Sequence, residues 1–145
     1  MTLVKKSALA PYSAHEMFSL VADIESYGAF LPWCAGARVL STDGDVVVAA
    51  LDIAYSAIQK TFTTKNHLVR DQSMEMNLVD GPFKHLRGYW GFHALDATSC
   101  KISFELEFEF SNRLLGFAFG PGFNHIAESL VDSFHHRAEQ IYGKR

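Results

Sequence analysis

Cysteine is scarce in this chain: Cys34 and Cys100 are the two among 145 residues. They lie far apart and form no CxxC, so neither a disulfide framework nor a zinc knuckle is on offer, and reduced thiols are expected. Charge is sparse as well. Charged residues make up 20% of the chain, the net charge is −3 and the pI is about 6.1. That balance excludes the strongly basic class of nucleic-acid binders and gives no reason to expect DNA as a partner. No apolar run is long enough to span a bilayer, and Met1–Lys6 is too poor in apolar residues for a signal peptide. A cytoplasmic protein is the expectation. Repeats, linkers and low-complexity segments are absent, so residues 1–145 read as a single domain.

Catalytic signatures are missing too. The chain has seven histidines but no HExxH, no Cys/His zinc spacing and no GxSxG. His135 and His136 are adjacent and diverge on a helix, and Glu105, Glu107 and Glu109 alternate on an outer strand face as solvated charges. No catalytic residue, metal ligand or catalytic cofactor is therefore assigned.

What the chain has in excess is phenylalanine, twelve of 145 residues, within a hydrophobic content of 48%. Much of it falls in the C-terminal stretch from Asn112 to Tyr142. There Phe119, Phe123, Ile126, Ala127, Leu130, Phe134, Ala138 and Ile141 repeat at helical spacing, opposite Glu128, Asp132, His135, His136 and Glu139. Asn112 is the expected N-cap and Gly143 the stop. Gly116 and Gly120-Pro121-Gly122 predict a kink or restart in the first third. Phe117 is expected on the buried aromatic face with Phe119, Phe123 and Phe134.

Leu3–Ala10 reads as a strand. Ser13 and Glu16 form a capping box, with Tyr12 and Met17 placed as its hydrophobic staple. The helix they open is followed by a short second one from Asp23 to Tyr27, broken by Gly28. The apolar segment Phe30-Leu31-Pro32-Trp33-Cys34 is neither helix nor central strand. It is a plug closing one end of the core or a lid touching a ligand. Strands then follow at Arg38–Leu40, Val46–Tyr55, Thr61–Arg70, Met74–Val79, Leu86–Leu95 and Ile102–Phe110, with a hairpin turn at Asp43-Gly44. Short turns between them argue a meander. The fold class predicted is α+β: a curved antiparallel sheet of about seven strands wrapped around a long C-terminal helix, a helix-grip arrangement.

Particular stretches resemble the coenzyme Q-binding branch of the START-like (polyketide cyclase and lipid transport, SRPBCC) superfamily, whose bacterial members include ribosome association toxins. They are Phe18–Tyr27 running into Phe30–Cys34, Gly81-Pro82-Phe83 with Leu86–Trp90 and Phe92, Phe108-Glu109-Phe110, and Phe134 with Arg137-Ala138 and Tyr142. Tyr27-Gly28 departs from the Tyr-Pro usual there. The resemblance implies a hydrophobic tunnel between sheet and C-terminal helix that binds ubiquinone or a related isoprenoid lipid in support of respiration, without catalysis. Its candidate lining is Phe30, Leu31, Trp33, Leu51, Ile53, Tyr55, Phe62, Trp90, Phe92, Phe104, Leu106, Phe108, Phe119, Phe123, Ile126 and Leu130. An aromatic stripe is equally the signature of plain core.

Two alternatives stand beside that expectation. One is docking on the large ribosomal subunit so as to block subunit association. A local patch of Lys60, Lys65, Lys84 and Arg87 would serve it. The other is a polyketide cyclase-like enzyme. Transient membrane contact is a further expectation for a lipid carrier.

Overall fold

The computed structural model describes residues 1–56 and 58–145. Seven strands form one antiparallel sheet: β1 (Thr2–Ala10), β2 (Cys34–Asp43), β3 (Val46–Tyr55), β4 (Ile58–Val69), β5 (Ser73–Asp80), β6 (Phe83–Ala94) and β7 (Cys100–Phe110). Between β1 and β2 come α1 (Ala14–Ala22) and a 3-10 helix (Ile24–Ala29), and the chain closes with α2 (Arg113–Tyr142). The spatial order is β1-β7-β6-β5-β4-β3-β2, so the meander runs from β2 to β7 and β1 joins its far side. Strands consecutive in sequence pair because their turns are short, with Gly44 at φ 59° where a side chain would be strained. Irregularities at Cys34/Gly36, Val39/Ser41, Thr63/Thr64 and Phe83/His85 bend the sheet along its length.

Period-two patterning decides which face is wet. On β7, Ile102, Phe104, Leu106 and Phe108 are buried, while Lys101 and Glu105 are exposed. The outer face is laced by cross-strand ion pairs, Lys5–Glu105 at 3.3 Å, Arg87–Glu75 at 3.2 Å and Arg38–Asp52 at 2.7 Å. The inner face meets α2, whose buried residues are Phe123, Ile126, Ala127, Val131, Phe134 and Ala138.

Helix ends form as expected. Ser13 Oγ accepts from Glu16 N while Glu16 Oε1 accepts from Ser13 N, a complete capping box. Asn112 Oδ1 caps α2 by accepting from Leu115 N. The 3-10 helix carries through Gly28 to Ala29, so Gly28 does not break it.

The predicted restart at Gly120-Pro121-Gly122 does not occur: α2 runs on with Pro121 inside it. Proline there forfeits one backbone bond, to the carbonyl four residues earlier. That residue is Phe117, which is exposed. Phe117 and Ile141 are also corrected: both point to solvent, and Val131 takes a buried place instead. The first half of α2 is apolar all round, so its spacing alone did not distinguish inside from outside.

Candidate functional site: an apolar cavity under the C-terminal helix

Between the middle of the sheet and α2 lies a cavity of about 70 Å³. The sheet supplies Leu51 and Ile53 from β3, Phe62 and Thr64 from β4, Met76 from β5, Leu86 and Trp90 from β6, and Phe104 and Leu106 from β7. The roof is α2, through Phe123, Ile126, Ala127, Leu130 and Phe134. Tyr27 and Trp33 close one side.

These side chains converge because each strand presents alternate residues inward and α2 presents a stripe at i, i+3, i+4, i+7. The wall is almost wholly apolar. Among its few polar groups, the Thr64 hydroxyl donates to Asn66 Oδ1 at 2.9 Å, so it keeps only lone pairs for anything inside.

The anticipated lining divides into residues that line the cavity and residues that lie outside it. Trp33, Leu51, Ile53, Phe62, Trp90, Phe104, Leu106, Phe123, Ile126 and Leu130 do line the cavity. Phe92 and Phe108 are buried but sit behind it. Phe92 stacks on Trp90 and meets Phe18 edge-on, and Phe108 packs on Phe83 and Phe123. Leu31 is buried within the core, and Phe30 is half-buried against Phe134 at 5.2 Å with the Arg137 guanidinium over its ring. Tyr55 stacks on His125 at 5.7 Å, and Phe119 lies half-exposed with Lys60 Nζ 5.3 Å from its ring centre.

Tyr27, Thr64, Met76, Leu86, Ala127 and Phe134 line the cavity without having been anticipated. Phe134 could have been found, since it lies eight residues after Ile126 on the same helical stripe. Thr64 and Met76 share the inward parity of Phe62 and of Met74.

Electrostatically the interior is inert. Burial lifts the Tyr27 hydroxyl far above its ordinary range, with Asp23 adding to the effect, and the group donates to the Val21 carbonyl. Burial pushes the Cys100 thiol up to about 11 and moves Cys34 the same way, so neither is a thiolate at neutral pH. The indole N–H of Trp33 is buried without a hydrogen-bond partner among the described residues. Among the described residues no cluster of three or more His, Cys, Asp or Glu is placed to hold a metal, and no helix is long and apolar enough to cross a membrane.

The expected basic patch assembles only in part: Lys65 and Arg87 stand on either side of Asn77 in the ladder, while Lys60 departs from them. Lys60 and Lys65 are five apart on β4, hence on opposite faces, and Lys60 turns toward Phe119 of α2. Arg87 is paired to Glu75 and sits opposite Glu107 in the ladder.

Residues 10–135 match the family described as polyketide cyclase / dehydrase and lipid transport. The chain is 46% identical to the ribosome association toxin RatA of Escherichia coli K12 over 145 residues, covering all of this chain and 92% of that one. It is 26% identical over 144 residues to the mitochondrial coenzyme Q-binding protein COQ10 homolog B of Xenopus laevis, covering 97% of this chain and 59% of that one. A START superfamily protein of Mycobacterium smegmatis shares the fold at a TM-score of 0.82 with 21% identity, over 96% of this chain and 98% of the other. The grip of a seven-stranded sheet on one long helix, an apolar cavity between them and these matches agree, and the chain belongs to the START-like polyketide cyclase / dehydrase and lipid transport family.

Proposed function

We propose that the protein binds a hydrophobic ligand non-catalytically in the cavity beneath α2, with ubiquinone or a related isoprenoid lipid as the class. The observation that carries this is a wall of aromatic and aliphatic side chains with no charged group in it. The cavity's size sets a condition on entry. At about 70 Å³ it is roughly half the volume of an engineered apolar cavity that takes up benzene. A quinone ring with a tail therefore enters only if α2 or the Phe30–Trp33 segment moves outward. Organic extraction and mass spectrometry of the protein from its own host should find the ligand. Added quinone should raise the melting temperature by RT ln(1 + [L]/Kd) in free energy. With Trp90 replaced by Phe, Trp33 emission should shift on addition. An empty extract and an unmoved melt across several tail lengths would overturn the reading.

A second reading concerns the exterior: association with the large ribosomal subunit. It is favoured by end-to-end identity of 46% to a ribosome association toxin, against 26% to the coenzyme Q-binding relative. Sucrose gradients decide it. Purified protein should migrate with the large subunit and deplete joined ribosomes, and protein remaining at the top of the gradient would exclude it. Such binding should weaken as salt rises, chiefly through Lys65 and Lys84, which have no carboxylate partner among the described residues, whereas Lys5, Arg38 and Arg87 are already paired.

A further inference from the structure

The first half of α2 has an outward face that the cavity does not use. Leu114, Phe117, Ala118 and Pro121 stand at i, i+3, i+4 and i+7, and all are exposed. Leu114 is 76% exposed and Phe117 86%. A contiguous apolar stripe of this kind is an interaction surface until something covers it. Its charge setting identifies the partner. From Asn112 to Ala127 the helix carries Arg113 and no acidic residue, the first being Glu128. Arg113 and Lys84 share a shallow groove beside Phe110 and Gly116, with Glu109 its acidic member. Lys60 lies on the other flank, over Phe119. In a chain of net charge −3 this sector is locally positive.

A second copy of the chain would bring these cations against their own kind. A nucleic acid would satisfy the cations but has little use for Leu114 and Ala118. An anionic lipid surface satisfies both, taking Phe117 and Leu114 below its headgroups and pairing those headgroups with Lys60, Lys84 and Arg113. We propose that this outward face of α2 docks on anionic membrane surfaces. The inference stands on the exterior alone and holds whatever the cavity carries.

Co-sedimentation with phosphatidylcholine vesicles, with and without phosphatidylglycerol, tests it. The wild-type protein should sediment with the anionic vesicles, and less so at high salt. Leu114→Ser with Phe117→Ser should weaken partitioning at least ~10-fold, which is ~1.4 kcal/mol, with the melting temperature kept. Because both side chains are exposed, folding should be unaffected. If the double variant melts early, Phe117→Trp replaces it, and its emission should shift to the blue and be quenched by brominated lipid. The proposal is overturned if wild-type protein ignores anionic vesicles or the Ser variant binds them equally well. It is equally overturned if the stripe proves to join two copies, seen as a dimer that the variant splits, or if the variant loses ribosomes while vesicles are never bound. Ligand binding by thermal shift, measured without vesicles, reports separately on the cavity.

Discussion

Phe123 and Phe134 share the roof of one cavity, and their surroundings correct a contrast expected from sequence. From the sequence, the Gly120-Pro121-Gly122 run beside Phe123 predicts a loosely held ring, and the regular half of the helix predicts that Phe134 is ordinary core. Instead Phe123 meets Phe62, Phe83, Phe108 and Phe110 with ring centres 4.8–6.2 Å apart. Phe134 meets Tyr27, Phe30 and Trp90 at 5.2–5.4 Å. Both are buried. Truncation of either to Ala should therefore cost about 3–5 kcal/mol in urea melts. The void left by Phe123→Ala should also admit a bulkier ligand, seen as a larger thermal shift with a quinone than wild type shows. A loss at Phe123 well below 2 kcal/mol on the large-to-small scale would mean that its ring cluster is loose. This distinction was not legible in the sequence, because period and aromatic content set which residues face inward but not how closely they pack.

At the scale of elements, α2 offers a matched pair of substitutions. A Cβ at Gly120 would meet Phe110 Cε2 at an ordinary 3.9 Å, whereas one at Gly122 would lie 2.7 Å from Ile58 Cδ1 and 3.3 Å from Tyr55 Cδ1. Gly120→Ala should stabilise by about 0.5–1 kcal/mol through helix propensity. Gly122→Ala should lose that gain and more as it pushes the helix off the β3–β4 end. Thermal melts of both read the difference, and equal stabilisation would show that the helix is not seated there. The elements themselves were largely legible. The Ser13/Glu16 capping box, the Gly44 turn and the alternation from Ile102 to Phe108 each follow from a local rule that nothing else contradicts. Pro121 was not, since a local rule predicts a break, while proline there costs the helix one backbone bond and the half that follows is held against the sheet from Phe123 onward. Phe117 was misplaced because Leu114, Phe117, Phe119 and Phe123 fit more than one helical stripe.

Across the whole molecule, the two ends of the chain are clasped. Arg145 donates to both Glu16 carboxylate oxygens at 2.7 and 2.9 Å, Tyr12 donates to the Gly143 carbonyl at 2.7 Å, and Tyr142 to the Glu16 carbonyl at 3.1 Å. The hydrogen bond from Arg145, with those from Ser13, holds the Glu16 carboxyl below its usual range against the opposing effect of burial. A depressed carboxylate stabilises the fold above the unfolded glutamate value near 4.5, and that contribution is lost as pH falls through the folded value. Glu16→Gln should flatten the acid limb of a stability-against-pH curve and leave the slope at neutral pH alone; an unchanged acid limb would show the clasp to be energetically idle. The sheet order has another outcome. β1 pairs with β7 from Thr2 against Phe108 to Ala10 against Cys100, so the first strand made finds its neighbour among the last. During synthesis, at roughly 5–20 residues per second, β1 waits unpaired for several seconds while the meander from β2 to β6 assembles without it. Throughout that interval the nascent chain presents a bare strand and a growing sheet with an open edge, the kind of template on which another chain can pair.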